Sequence, residues 1–249
     1  LIYGVPKRRN GNIINNQSLK YQYFKSQENI LQFKLSLPSN VTLIAVTKTH
    51  PPEVVLEAYN AGHKVFGENK VQEMLAKYEA LPKDIQWHLI GHLQTNKVKY
   101  IAPFVELIHS VDSIKLLKEI DKQAAKNNRV INCLLQIYIA KEETKFGLSF
   151  EEAEALINSN EFKELKNIKV LGLMGMASNT EDLNIVRNEF KSLHTFYTSL
   201  SQLPASNFDL PTSNFQLSTL SMGMSSDYTS AIEEGSNMIR VGSIIFGHR

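Results

Sequence analysis

Eight short apolar runs recur along the chain, and polar or helix-like segments separate them. The runs cover residues 43–48, 64–69, 86–91, 107–112, 131–139, 169–177, 214–223 and 238–247. Several are nearly continuous in apolar residues rather than alternating, which is typical of parallel strands covered on both faces. The pattern predicts an α/β protein in which strands and helices alternate.

The segments between the runs carry helix signals. Ser113 stands in the N-cap position before apolar residues that recur at spacings of three and four. Ser149 and Glu152 have the spacing of a capping box at the start of another helix. Residues 180–200 and 225–235 are also predicted to be helical. Predicted strands and helices therefore alternate along the chain.

Strand and helix alternate eight times, which favours a single (β/α)8 TIM barrel. An open doubly wound sheet is the alternative, but no G-x-G-x-x-G follows any of the runs. The eighth run extends almost to Arg249 and leaves no room for an eighth helix. An extra helix over residues 17–36 is expected to cover that place. We expect residues 1–16 to form a flexible tail and residues 17–249 to form the barrel domain.

Composition narrows the class of protein. The chain has 249 residues, of which 43% are apolar, and a net charge of +2. This suits one domain with a large core and argues against a duplex nucleic acid partner. No apolar run reaches transmembrane length and no signal peptide is legible, so no membrane association is expected. The single cysteine, Cys133, excludes an internal disulfide, and we expect a cytoplasmic protein with Cys133 buried.

Polar residues fall at the ends of the predicted strands. The carboxyl ends of the strands form the active face of such a barrel, so these side chains are expected to converge on one rim. The candidates are Lys48 at the end of the first run, Asn69 at the end of the second, His88 in the third, Ser221 and Met222 in the seventh, and Arg240, Gly242 and Ser243 in the eighth.

Lys48 allows two interpretations. It is either an exposed lysine at a strand end or a Schiff-base lysine, because a partly desolvated amine is neutral more often and attacks aldehydes. Ser225 and Ser226 precede a helix whose free N–H groups suit an anion, although both serines also read as plain N-caps. Arg240 alone suits an ion pair. Because phosphate sites commonly lie after strands seven and eight, the joint positions favour phosphate. An aldehyde that carries a phosphate, such as pyridoxal 5'-phosphate (PLP), fits both ends.

Two further candidates have ordinary structural interpretations. His88 alone reads most simply as a core histidine. Asn69 either caps the helix that follows or donates a hydrogen bond to a cofactor ring. The histidines show no metal-binding spacing such as H-E-x-x-H, so no metal site is expected.

Six segments carry a resemblance to a known family: "AVTKTHP", "FGENKVQE", "WHLIGHLQTNK", "SVDS", "GLMGMA" and "LSMGMSSDYTSAIEEGSNMIRVGSIIFG". From about Gln17 to Arg249 the chain resembles the pyridoxal phosphate homeostasis proteins, whose barrel is similar to the N-terminal domain of alanine racemase. The resemblance implies PLP held as a covalent imine on Lys48, with Arg240 close by. It also implies phosphate contacts from Ser221, Ser225, Gly242 and Ser243. Lys145 matches a further family lysine and is either a solvated loop residue or a second, transient aldehyde site.

Three functions are compatible with these residues. The first is a carrier that buffers PLP for vitamin B6 homeostasis, acts as a monomer and supplies PLP-dependent apo-enzymes. The second is a PLP-dependent amino-acid racemase, which needs acid–base groups on both faces of its substrate. In the racemases this barrel resembles, a tyrosine from a second domain serves one face, and we expect that domain to be absent here. The third is a phosphate-binding isomerase without a cofactor. The resemblance favours the carrier.

Overall fold

The computed structural model describes residues 16–140, 146–202 and 214–247, with side chains from residue 26 onward. The predicted tail and Lys145 therefore lie outside the described residues, apart from Asn16. The strands are β1 (Thr42–Val46), β2 (Val65–Glu68), β3 (Gln86–Leu89), β4 (Leu107–Val111), β5 (Ile131–Ile137), β6 (Ile168–Gly175), β7 (Phe215–Ser221) and β8 (Met238–Val241). The helices are α1 (Asn16–Leu35), α2 (Pro52–Asn60), α3 (Val71–Ala80), α4 (Val98–Ile101), α5 (Ile114–Lys126), α6 (Phe150–Asn158), α7 (Asn160–Lys163), α8 (Leu183–Gln202), α9 (Tyr228–Glu233) and α10 (Ser243–Phe246). A short 3-10 helix, Thr95–Lys97, precedes α4.

The eight strands form a closed parallel barrel, as predicted. They are ordered β1 to β8, and β8 pairs with β1 through neighbours such as Leu43 and Ile239. Alternate side chains of a strand point to opposite faces, which gives two hydrophobic layers. The larger layer packs between strands and helices and includes Phe66 and Trp87. The smaller one comes from five different strands and occupies the barrel interior, with Ile44, Leu107, Leu134, Met174 and Met238.

The prediction of one continuous strand over residues 238–247 is wrong. The strand ends at Val241, Gly242 leaves the extended conformation, and α10 begins at Ser243. The amides of Ile245 and Phe246 donate to the Gly242 carbonyl at 3.0 and 2.9 Å. Both side chains are buried, so the apolar run continues through a turn of helix. A short apolar run does not distinguish a buried strand from a buried helical turn.

The extra helix α1 packs beside this last turn, which confirms its predicted place. The Asn29 side-chain amide donates to the Ile245 carbonyl at 3.0 Å. Ile30 and Phe33 are buried, and the Phe33 ring meets the Tyr228 ring edge-on at 5.1 Å. Because α10 is only one turn long, α1 covers barrel surface that a full eighth helix would cover.

The local helix signals are also confirmed. The Ser113 hydroxyl accepts a hydrogen bond from the Leu116 amide, and both hydrogen bonds of the capping box join Ser149 and Glu152. Cys133 is fully buried in β5, as expected. Within the described ranges, no helix combines the length and apolar character that crossing a lipid bilayer requires.

Candidate functional site

A cleft of about 720 Å³ opens at the carboxyl ends of the strands. The predicted residues Lys48, Asn69, Ser225, Arg240, Gly242 and Ser243 all line it. Its other lining residues are Val46, His50, Ile90, Met176, Met224, Ser226, Ile244 and Gly247. The volume falls within the range of about 300–1,000 Å³ that is usual for small-molecule and cofactor sites.

The charge of the cleft is positive. Lys48 and Arg240 are lining residues, and no Asp or Glu is among the lining residues described. Arg240 is only 4% exposed, and within the described ranges it forms no salt bridge to a carboxylate. Burial lowers the pKa of Arg240 to about 10, while the nearby Asp227 opposes that shift. Arg240 is therefore charged at neutral pH, and a bound anion would offset the cost of burying it.

The Arg240 guanidinium is held in a fixed orientation. Nη1 donates to the Ser221 hydroxyl at 2.6 Å, and Nη2 donates to the Gly175 carbonyl at 2.9 Å. These contacts come from β7 and from the end of β6. Because a guanidinium is planar, two contacts on different nitrogens fix its plane as well as its position.

The turns after β7 and β8 meet at one side of the cleft. The Gly242 amide donates to the Ser225 hydroxyl at 3.2 Å, which links the two turns. A Cβ atom at Gly242 would lie 3.0 Å from the Val46 carbonyl oxygen, so the turn also sits close against β1. The first N–H groups of α10 have no acceptor within their own helix. Hydroxyl and amide donors thus collect at Ser225, Gly242 and Ser243.

Two buried histidines continue the hydrogen-bond chain from Arg240 into the barrel. His109 Nδ1 lies 3.1 Å from the Ser221 hydroxyl, and His109 Nε2 lies 2.9 Å from His88 Nδ1. Burial lowers the pKa of His88 to about 3. Burial, with the charges of His88 and Arg240, lowers that of His109 well below its usual value. Both rings are therefore neutral at pH 7. Each ring then carries one N–H, so one of its nitrogens can donate a hydrogen bond and the other can accept one.

Three predicted site residues do not line the cleft. His88 and Ser221 lie beneath it in the buried chain just described, so the core-histidine interpretation fits His88. Met222 is fully buried and packs in the larger hydrophobic layer, between the strands and the helices. Alternate residues at the end of β7 face opposite sides, so Ser221 points inward and Met222 outward. Met224 reaches the lining instead.

The capping interpretation of Asn69 is wrong. The N-cap of α3 is Lys70, and its side chain makes no capping hydrogen bond. Asn69 instead lines the cleft. A Cβ atom at Gly91 would lie 2.4 Å from the Asn69 carbonyl oxygen, so the loop after β3 requires glycine there.

Sequence reasoning missed several residues of this site. His50 lines the cleft two residues after Lys48, and its ring lies 5.2 Å from the Phe246 ring. The spacing of two from a strand-end lysine was a usable signal for His50. His109 stands in the apolar run of β4, and a histidine inside such a run was a comparable signal. The apolar lining residues Ile90, Met176 and Ile244 had none.

Comparisons with known proteins agree with this fold. The family model described as "Alanine racemase, N-terminal domain" matches residues 25–249. A protein of Aquifex aeolicus named pyridoxal phosphate homeostasis protein is 46% identical over 208 residues, which is 83% of this chain and 86% of the relative. The solved structure of PipY from Synechococcus elongatus without PLP has a TM-score of 0.81 at 35% identity, covering 89% of this chain and 99% of PipY. The PipY structure with PLP bound has a TM-score of 0.77 at 34% identity, covering 89% and 100%.

The match extends over most of the chain and includes all the described residues that line the cleft. Relatives above 30% identity cover more than two thirds of the chain. The chain therefore belongs to the alanine racemase N-terminal domain family, among the relatives named pyridoxal phosphate homeostasis protein.

Proposed function

We propose that this protein binds PLP in the cleft, as an imine on Lys48, and serves as a carrier in vitamin B6 homeostasis. The observation that carries the proposal is the charge of the cleft. A buried arginine and a half-buried lysine line it, and the described lining residues include no carboxylate. Such a site suits an anion that also has a group reactive toward an amine.

The residues present fit PLP at each of its parts. Ser225, Gly242 and Ser243 would hold the phosphate through hydroxyl and amide hydrogens, and Arg240 would supply positive charge. Apolar lining side chains such as Ile90 and Met176 suit the faces of an aromatic ring. The Lys48 amine would add to the aldehyde carbon with loss of one water. The cofactor supplies that aldehyde, together with a ring that accepts electrons in enzymes.

The relatives support the same assignment. The curated relatives are named pyridoxal phosphate homeostasis protein, and one PipY structure has PLP bound. We infer that this protein buffers PLP without substantial turnover of its own and supplies it to PLP-dependent apo-enzymes. We further propose that it acts in the cytoplasm as a monomer.

The described lining does not favour the racemase alternative. A racemase needs a second proton-transfer group, for which Tyr228 and His88 are the candidates by their positions near the strand ends. Tyr228 packs against Phe33 of α1, and His88 lies in the buried chain beneath the cleft. Neither lines the cleft, so neither is placed to exchange a proton with a bound substrate. His50 is the lining histidine that a test for turnover must include.

The experiment that tests the proposal is an absorption spectrum of the purified protein with PLP, before and after borohydride reduction. We expect an imine band that reduction removes, and a reduced pyridoxyl tag on the peptide that contains Lys48. Lys48→Ala is expected to lack both the band and the tag. Full imine absorption in Lys48→Ala would disprove the assignment of Lys48.

Transfer is tested separately. Protein loaded with PLP is mixed with a PLP-dependent apo-enzyme, and recovery of that enzyme's activity is followed against an equal concentration of free PLP. A carrier is expected to restore activity while keeping free PLP low. If the apo-enzyme stays inactive, the delivery part of the proposal is wrong even if the imine forms.

A further inference from the structure

The loop that carries Lys48 is held on both sides by side chains of one helix, α3. Lys77 Nζ donates to the Thr47 carbonyl at 2.7 Å. The Thr49 amide donates to Glu73 Oε2 at 2.8 Å. These are the carbonyl of the peptide bond before Lys48 and the amide of the peptide bond after it. Glu73 and Lys77 are four residues apart and so project from the same face of α3. We call this pair of side chains the α3 clamp.

The Lys77 half of the α3 clamp belongs to a buried polar cluster. The Lys77 side chain is 5% exposed and pairs with Glu68, which is fully buried. The Thr47 hydroxyl donates to the same Glu68 oxygen at 2.6 Å. The other oxygen, Glu68 Oε2, is buried without a hydrogen-bond partner in the described residues. The cluster thus joins the end of β1 to the end of β2, next to the lining residue Asn69.

A buried ion pair of this kind commonly adds little to the stability of a fold. Removing two charges from water costs more than their attraction commonly returns, and apolar residues of similar size often stabilise a core better. Buried polar groups do, however, fix one arrangement of the backbone, because the hydrogen bonds between them form only in a narrow range of geometries. The cluster is therefore better explained by the loop position that it enforces.

The Glu73 half of the α3 clamp holds a strained residue. Thr49 has a φ of 64°, in the left-handed region that β-branched residues rarely adopt. Such a conformation persists where surrounding contacts determine it, and it is found at ligand sites more often than elsewhere. The hydrogen bond from the Thr49 amide to Glu73 is a contact of that kind, and it lies directly after Lys48.

We propose that Glu73 and Lys77 are positioning residues that orient the Lys48 backbone for its amine to reach the ligand aldehyde. The inference rests on the proposed function of Lys48. Neither residue of the α3 clamp lines the cleft, so neither contacts the ligand. The phosphate end of the site comes from the turns after β7 and β8, on other elements. Loosening the α3 clamp should therefore slow bond formation at Lys48 and leave phosphate-dependent binding nearly unchanged.

The test compares two ligands that differ at one carbon. PLP has an aldehyde where pyridoxine 5'-phosphate has an alcohol, so only PLP bonds to Lys48. Stopped-flow absorption measures the rate of imine formation, and calorimetry measures the affinity for pyridoxine 5'-phosphate. In Glu73→Ala we expect imine formation to slow by about tenfold or more, since misplacing a reacting group by about 1 Å costs up to about 100-fold. Its affinity for pyridoxine 5'-phosphate should stay within about twofold of wild type.

Three further variants make the comparison specific. Glu73→Gln keeps an oxygen that accepts from the Thr49 amide, so it is expected to restore most of the rate. Lys77→Met/Glu68→Gln removes the buried pair together, so no buried charge is left without its partner. Lys64→Met is the matched control, because it breaks an exposed lysine–aspartate pair with Asp84 (2.6 Å) before β2, at the opposite end of the barrel. It is expected to behave as wild type with both ligands.

The outcomes separate this inference from the proposed function. Wild-type protein that forms no imine would overturn the proposed function and, with it, the inference. With a competent wild type, imine formation at the wild-type rate in Glu73→Ala would overturn the inference alone. Equal weakening of both ligands in Glu73→Ala would do the same, since it would indicate a general structural defect. If the double variant does not fold, the Glu73→Ala and Glu73→Gln pair decides.

Discussion

Arg240 is buried beside the cleft and forms no salt bridge to a carboxylate within the described residues, so we expect its charge to contribute most to stability when an anion is bound. Truncating a charge-assisted contact in a partly dry site costs about 1.5–3 kcal/mol, or roughly 10- to 100-fold in affinity. We expect Arg240→Ala to bind PLP weaker by that factor and unphosphorylated pyridoxal by less. Titration with both ligands checks this, with Arg187→Ala as the control, since Arg187 pairs with Glu233 on the surface. Equal losses for both ligands would place Arg240 away from the phosphate.

The buried histidines should make the fold sensitive to mild acid. Burial lowers the pKa of His88 to about 3 and that of His63 to about 4, and that of His109 falls well below normal. In the unfolded chain these histidines bind a proton near pH 6.5, so their contribution to the free energy of unfolding is complete above that pH. It is lost as pH falls toward the folded-state values, at up to about 1.4 kcal/mol per pH unit for each histidine. Burial raises the pKa of Glu68. Above the usual glutamate pKa, its contribution to stability therefore falls as pH rises, which is opposite to that of the histidines.

We therefore expect the free energy of unfolding to decrease steadily from pH 7 to pH 5, measured by urea denaturation in buffers of equal ionic strength. A flat stability between pH 7 and pH 5 would contradict neutral buried histidines.

The turn between β7 and α9 depends on a glycine for two separate reasons. Gly223 has a φ of +97°, and a Cβ atom there would lie 2.6 Å from the Ala231 Cβ. Gly62 has a φ of +85° with nothing within 4 Å of an added Cβ. Alanine at either position carries the conformational cost of a positive φ, and only Gly223→Ala adds a steric clash. We expect Gly223→Ala to be less stable than Gly62→Ala by about 1–3 kcal/mol and, unlike Gly62→Ala, to weaken PLP binding. Equal stability of the two variants in denaturant would show that the turn adapts.

Much of the element pattern could be predicted from the sequence, since alternating strands and helices in a parallel barrel bring the strand ends to one rim. Lys48, Asn69 and Ser225 were placed on that rim by topology alone. The boundary between β8 and α10 could not be, because residues 242–246 stay apolar through a change of conformation. Local sequence patterns also could not predict the contacts between different strands and helices. The hydrogen bond between His88 and His109, for example, depends on strand register.

The proposed carrier function predicts no enzyme-like turnover of amino acids. Removing a proton from the substrate Cα and replacing it on the other face needs a placed group on each side. Among the described lining residues, Lys48 would hold the cofactor, and His50 is the other side chain of a type that commonly transfers protons. We expect protein loaded with PLP to cause no substantial deuterium exchange or D-isomer formation with L-alanine in deuterium oxide. Proton NMR and chiral chromatography measure this, with His50→Gln alongside wild type.

A rate of about 1 per second or faster would be enzyme-like and would overturn the carrier assignment. If His50→Gln abolished that rate, His50 would be the second proton-transfer group. An alanine racemase assayed under the same conditions provides the positive control.

The pairing of β8 with β1 has a consequence for the order of events during synthesis. Lys48 follows the first strand and Ser243 follows the last, yet the two line one cleft. A growing chain leaves the ribosome from its N-terminus, at roughly 5–20 residues per second. Lys48 is therefore outside the ribosome for many seconds before the residues that complete its cleft have been made. PLP bound as proposed would therefore not guide the early steps of folding, and it would stabilise only chains whose barrel has already closed. On that proposal, the PLP-bound protein in a cell would consist of completed chains and not of nascent ones.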